Sequence, residues 1–246
     1  MSTSLLRGFV YKRKSSVLHR LDPRTKAIIL ISAVALIFTS VKVSFLLLLL
    51  FVSMFLAYVG RVLREWLHSL KSVFLFSIFI FVMNYLTVYN DKLLYSLLMA
   101  LRFILLTSFF SIFFLTTNPD DFAQALLKVG VPYEYTLTFT MAIRFVPTLA
   151  RDIQLIIDSQ RSRGLELEKG NIITKVKNYI PILIPLMILE IRRSIMIAEA
   201  LEARAFGAVR KRTFYRELHL SRIDIIIMTC TLVTVALILL LKPQWF

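Results

Sequence analysis

The chain has 246 residues, 58% of them apolar, and carries 30 Lys and Arg against 15 Asp and Glu, for a net charge of +15. Soluble domains use about 45–50% apolar residues, so this composition excludes an ordinary soluble protein and indicates an integral membrane protein. In such a protein the cations are explained by basic cytoplasmic loops, not by nucleic acid. A single cysteine, Cys230, excludes an intramolecular disulfide and a cysteine-based metal site.

The N-terminal part of the chain is a basic segment, residues 1–26, followed by a long apolar run. Asp22-Pro23 is typical of a helix start, with Asp as the cap and Pro in the first position. One helix from Ala27 to Val59 would be about 50 Å long, which exceeds a hydrocarbon core of about 30 Å. We therefore predict that Lys42 divides this run into two short spans.

The next two predicted spans are Val73–Tyr89 and Leu93–Thr117, joined by a short turn. Arg102 lies within the second of them, where insertion scales assign an arginine a cost of about 2.5–3.5 kcal/mol unless it is paired or turned inward. We interpret Arg102 as packed against neighbouring helices. The alternative is a self-contained carrier that moves its substrate past this arginine.

Two adjacent carboxylates, Asp120 and Asp121, follow Asn118 and are predicted to cap a short amphipathic helix that runs to Lys128. The alternative is a membrane-embedded enzyme that acts on a lipid or isoprenoid diphosphate through these two acids. The further carboxylates that such chemistry needs are not present beside them. The sequence also lacks a G-x-x-x-x-G-K-[ST] loop, a G-x-S-x-G elbow, an H-E-x-x-H pair and a zinc-ligand spacing. We predict no catalytic residue, no cofactor and no metal site.

From Tyr133 to Arg222 charged residues interrupt the apolar runs, and two long helices are predicted, from Pro147 to Arg163 and from Pro185 to Phe206. Each ends in an arginine with small neighbours and a glycine at or just beyond it. The backbone of a partner can approach such an arginine, whose guanidinium offers several donors to a carboxylate. Alternatively, the cation only complements the negative helix end, which contributes about 0.3–1 kcal/mol.

The distribution of the basic residues predicts the orientation in the membrane. All but four of them (Lys42, Lys92, Arg102 and Lys242) share one side if residues 1–26, 60–72 and 118–222 are cytoplasmic. This pattern predicts a cytoplasmic N-terminus, five spans ending with Ile223–Leu241, and a C-terminus outside.

The predicted fold is an all-α polytopic membrane protein with about five transmembrane helices and a cytoplasmic-side domain of long helices. The predicted division is 1–117 for the N-terminal segment and four spans, 118–222 for the cytoplasmic domain, and 223–246 for the last span. The sequence leaves open whether residues 133–150 and 179–191 are partly embedded or lie beneath the bundle. Spanning there would export six basic residues, so we predict that they do not span.

Four motifs resemble, in order and spacing, the transmembrane T component of energy-coupling factor transporters, the EcfT/CbiQ family. They are Leu18–Lys26, Arg144-Phe145-Val146-Pro147-Thr148, Ile184-Pro185-Leu186 with Arg192-Arg193, and Glu199-Ala200-Leu201-Glu202-Ala203-Arg204-Ala205-Phe206-Gly207. The resemblance covers nearly the whole chain. It implies two crossed cytoplasmic coupling helices, each docked through an Ala-Arg-Gly-like motif on one of two ABC-type ATPases. It also implies a membrane S component that binds a vitamin or a transition-metal ion.

By this resemblance, the ATPase-docking residues lie in two motifs with four supporting residues. They are Ser162-Arg163-Gly164 and Ala203-Arg204-Ala205, supported by Arg161, Glu199, Glu202 and Gly207. Because Ala205 replaces the glycine that easily adopts a left-handed stop, we expect the second helix to continue as far as Gly207. The resemblance further implies a non-catalytic subunit of the cell membrane, without a nucleic-acid partner. It leaves the transported substrate open.

Overall fold

The computed structural model describes residues 16–88, 91–167, 171–208 and 220–240. Every regular element in these ranges is an α-helix, which confirms the predicted all-α class. The helices are α1 Val17–Arg20, α2 Pro23–Thr39, α3 Val43–Val59, α4 Leu63–Thr87, α5 Lys92–Thr116, α6 Pro119–Val129, α7 Tyr133–Ser162, α8 Ile172–Ala203 and α9 Arg222–Leu240.

Two helices among the described residues, α4 and α5, are long and apolar enough to cross a membrane, and α3 is a shorter apolar helix. The predicted total of five spans stays a prediction. The chain divides into two compact units. Within the described ranges, the bundle unit comprises residues 16–136 and 220–240, and the arm unit comprises residues 137–208. The functional division predicted at 117 and 222 also stays a prediction.

The core of the bundle unit lies between α2, α3 and α5. Three of its side chains, Ile37, Leu46 and Leu105, are completely buried, one from each helix. The start of α2 follows the prediction, since Asp22 is its cap and accepts a hydrogen bond from the backbone N–H of Arg24. Moving a large aliphatic side chain from water into a protein core stabilises the fold by about 1.5–3 kcal/mol. Inside a membrane the alternative to burial is lipid and not water, so helices associate through close van der Waals packing instead.

Two cations fix the register of α2 against α5. At one end, Lys26 Nζ donates to the carbonyl of Thr116, the last residue of α5, at 2.8 Å. At the other end, Arg102 Nη2 donates to the carbonyl of Ser40, the cap residue of α2, at 2.6 Å. The two helices therefore run antiparallel, and α2 ends ten residues short of Lys92, where α5 begins. Ten helical residues correspond to about 15 Å.

A buried carboxylate joins the starts of α2 and α9. Asp224 is 3% exposed, and its two oxygens accept from the backbone N–H of Asp22 at 3.0 Å and of Ser221 at 2.9 Å. These bonds satisfy donors at helix starts, where the first turn has no partners of its own. Asp224 was not among the predicted site residues, although an acid in the first turn of an apolar helix is a signal for such capping.

Candidate functional site

The candidate site lies at the C-terminal ends of α7 and α8, in the arm unit. Both helices are longer than predicted: α7 begins at Tyr133 and contains Pro147, and α8 begins at Ile172 and contains Pro181 and Pro185. The predicted starts at Pro147 and Pro185 are therefore wrong. A proline removes only one backbone hydrogen bond, and long helical sequence on both sides of it keeps the helix continuous.

The end of α7 is closed by three backbone hydrogen bonds. The N–H groups of Arg163 and Leu165 both donate to the carbonyl of Gln160, each at 3.1 Å, and the N–H of Gly164 donates to the carbonyl of Arg161 at 2.9 Å. This is the Schellman arrangement, which satisfies carbonyls that the helix leaves unpaired. Arg163 is the cap residue between the helix and the turn.

The end of α8 has the same three bonds at the equivalent residues. The N–H groups of Arg204 and Phe206 donate to the carbonyl of Leu201, at 3.1 and 3.0 Å, and the N–H of Ala205 donates to the carbonyl of Glu202 at 2.8 Å. Arg204 is again the cap residue. The two arginines thus stand on helix ends with the same hydrogen-bonding pattern.

The expectation that α8 continues to Gly207 is wrong, because the helix ends at Ala203. Ala205 takes the left-handed backbone itself, with φ +56°, where the equivalent Gly164 has φ +89°. For a residue with a Cβ, this conformation costs about 1–2 kcal/mol. The backbone bonds of the Schellman arrangement offset that cost.

All ten predicted docking and supporting residues are exposed on the arm unit. They are Arg161, Ser162, Arg163, Gly164, Glu199, Glu202, Ala203, Arg204, Ala205 and Gly207. Among the described residues, no acid lies within ion-pair distance of Arg163 or Arg204. Both arginines are exposed, so a partner can reach them, as their predicted role requires; that role stays a prediction.

One ion-pair cluster joins α7 to α8. Arg193 Nη2 donates to Asp152 Oδ2 at 2.6 Å, and Arg193 Nη1 donates to Glu190 Oε1 at 2.5 Å. The hydrogen bond with Asp152 raises the pKa of Arg193 above its ordinary value, with a further contribution from Glu190. Glu190 lies three residues before Arg193 in α8, a spacing that brings the two side chains to one face of the helix, whereas no local pattern indicates Asp152.

The features behind the two alternative functions have structural explanations. Asn118 caps α6 by accepting from the backbone N–H of Asp120 at 3.3 Å. Both Asp120 and Asp121 lie in the first turn, where a negative charge interacts favourably with the helix dipole. In the part of the chain that the structure describes, no three His, Cys, Asp or Glu side chains form a metal-binding group. As predicted, Arg102 is turned toward a neighbouring helix, where it donates to the carbonyl of Ser40.

Known proteins resemble this chain over most of its length. Residues 14–215 match the family model of CbiQ, described as a cobalt transport protein. A protein of Clostridium kluyveri is 34% identical over 260 residues, covering 96% of each chain. One of Lactococcus lactis is 31% identical over 248 residues, covering 91% of this chain and 93% of its own, and one of Streptococcus thermophilus is 34% identical over 227 residues, covering 82% and 86%. Each of the three is named energy-coupling factor transporter transmembrane protein EcfT.

Proposed function

The chain belongs to the CbiQ family, which includes the transmembrane proteins of energy-coupling factor transporters, and from this premise we propose that it is the coupling subunit of an ATP-driven importer. Its relatives are named as membrane components of a transporter, so the chain is a transporter subunit and not an enzyme. The proposal adds the task of this subunit: it passes the motion of two ABC-type ATPases to a substrate-binding S component in the same membrane.

One observation carries this proposal: the same arginine-capped helix end occurs twice. Arg163 and Arg204 follow helices that close with the same backbone bonds, and small residues flank both arginines in the sequence. Two equal ends suit two copies of one kind of partner surface, as a pair of related ATPase subunits provides. Hydrogen bonds to a charged group contribute about 1.5–3 kcal/mol each, so an acidic groove would hold each arginine firmly.

The substrate of the importer is proposed at the level of a class, a vitamin or a transition-metal ion. Cobalt appears in the description of the matching family model, which supports the metal-ion branch of this proposal. Because the S component would bind the substrate, this chain needs no pocket of its own for it. In this proposal, the chain provides docking surfaces for the ATPases and for the S component.

The test is charge reversal at the two helix ends. In the assembled transporter we expect Arg163→Glu or Arg204→Glu to lower ATP-dependent uptake into proteoliposomes at least tenfold, and the double variant to abolish it and to weaken ATPase co-purification. Arg192→Glu is the matched control, since Arg192 is an exposed arginine on α8 outside both ends. Normal uptake by the double variant would refute the coupling role.

A further inference from the structure

The ion pair between α7 and α8 joins equivalent positions of the two helices. Asp152 precedes Arg163 by 11 residues, and Arg193 precedes Arg204 by the same number. Eleven residues are about three helical turns, or about 16 Å, so each member of the pair lies on nearly the same side of its helix as its own arginine. The ion pair therefore lies equally far from the arginine at the end of each helix.

We propose that the Asp152–Arg193 pair is the pivot that joins the two arginine-tipped helices, and that it stays closed while the tips move. This inference rests on the proposed function, because it assigns a mechanical role within the same pair of coupling helices. It adds two positioning residues that dock no partner and act on the tips through the helices.

The contacts make this pair suited to a fixed joint. The Arg193 guanidinium uses both terminal nitrogens, one on Asp152 of the other helix and one on Glu190 of its own. Glu190 therefore holds the Arg193 guanidinium in the orientation in which its other terminal nitrogen bonds Asp152. The side chains of Arg193 and Asp152 are only 21% and 16% exposed, so opening the pair would leave two charges poorly hydrated.

The equal distances give the pivot a mechanical consequence. If both helices turn about the pair by about 10°, each tip moves by about 3 Å, because each lies about 16 Å away. The two arginines then move together when a partner dimer closes on them. Without the joint, a push on one tip would turn one helix and leave the other in place.

The first experiment separates this role from plain stabilisation. We expect Asp152→Ala and Arg193→Ala to lower substrate uptake per ATP hydrolysed at least tenfold in the assembled transporter, while ATPase co-purification and ATP hydrolysis stay within twofold. The double variant should be no worse than either single one. Arg192→Ala and Glu190→Gln are the controls: the first should resemble wild type, and the second should lose less coupling, because it spares the bond between the helices.

Two results of this experiment would overturn the pivot. In one, the Asp152 and Arg193 variants transport like the Arg192 control. In the other, uptake falls only in proportion to assembly and thermal stability, which indicates a structural ion pair. If Arg163→Glu with Arg204→Glu abolishes uptake and the pivot variants do not, this inference alone fails. If that charge reversal leaves uptake normal, the proposed function fails first.

The second experiment replaces the ion pair with a covalent joint. Asp152→Cys with Arg193→Cys, in a Cys230→Ala background, should be uncoupled as purified. Linking the two thiols with a short bifunctional thiosulfonate should restore at least half of the uptake per ATP, and reduction should remove it again. A linked protein that stays uncoupled would show that the contact has to open, and a link that does not form would contradict the contact itself.

Discussion

Gly164 and Ala205 occupy equivalent positions with the same left-handed backbone, yet only one of them is a glycine. Gly164 predicted the end of α7, because glycine lowers the cost of a left-handed residue, whereas Gly207 predicted the end of α8 four residues too late. The sequence did not predict that Ala205 would adopt this conformation, since the backbone bonds that compensate for it are not visible in local propensity. The chain therefore stores strain at one end that it avoids at the other.

Exchanging these two residue types should change stability in opposite directions. We expect Ala205→Gly to raise stability by about 0.5–1 kcal/mol, because glycine removes the left-handed strain, and Gly164→Ala to lower it by about 1 kcal/mol. A Cβ on Gly164 would meet no atom within 4 Å, so only the backbone conformation is tested there. The thermal midpoint of the purified chain measures both. Shifts of the same sign would contradict the equivalence of the two ends.

Loss of the buried Asp224 carboxylate should lower the stability of the bundle unit. The carboxylate accepts from two backbone N–H groups, and an unsatisfied buried donor costs about 1–3 kcal/mol. We expect Asp224→Ala to destabilise the chain by about 2 kcal/mol or more, and Asp224→Asn, which keeps one acceptor, by less. Asp158→Ala is the control, since Asp158 is exposed and should change stability by less than about 0.5 kcal/mol. Equal thermal shifts for the two alanine variants would contradict this ranking.

At the scale of whole elements, the antiparallel register of α2 and α5 has a consequence for depth in the membrane. Arg102 bonds the end of α2 at a point ten residues along α5, so the turn that carries Val41 lies about 15 Å from the start of α5 at Lys92. The sequence located Arg102 within a span and predicted that it faces protein. It could not show that the partner is a turn carbonyl, because that depends on the register.

We therefore expect the turn between α2 and α3 to lie deeper in the bilayer than the turn before α5. A fluorophore on Val41→Cys, in a Cys230→Ala background, should be quenched more by lipids labelled in mid-chain than by lipids labelled near the headgroup. The same fluorophore on Asp91→Cys should show the opposite order. Equal quenching profiles at the two sites would contradict the register that Lys26 and Arg102 fix.

At the scale of the whole molecule, local sequence patterns predicted secondary structure, but they did not predict the contacts between residues that lie far apart in the sequence. The all-α class followed from composition, and the end of α7 from Gly164 beside Arg163. The contacts of Asp152 with Arg193 and of Asp22 with Asp224 span 41 and 202 residues, respectively, and no local pattern selects one acid from several for such a partner. The starts of α7 and α8 were misplaced for the opposite reason, because a local proline signal was outweighed by the helical sequence around it.

Orientation in the membrane is the property of the whole chain on which the coupling role depends. The bias of the basic residues predicts that the arm unit faces the cytoplasm, where ATP is available, and that the turn before α5 faces outward. In a Cys230→Ala background, Ala208→Cys should react with a membrane-impermeant maleimide only after cells are permeabilised. Asp91→Cys should react in intact cells. Labelling of Ala208→Cys in intact cells would put Arg163 and Arg204 on the side without ATPases, and the proposed function would fail with it.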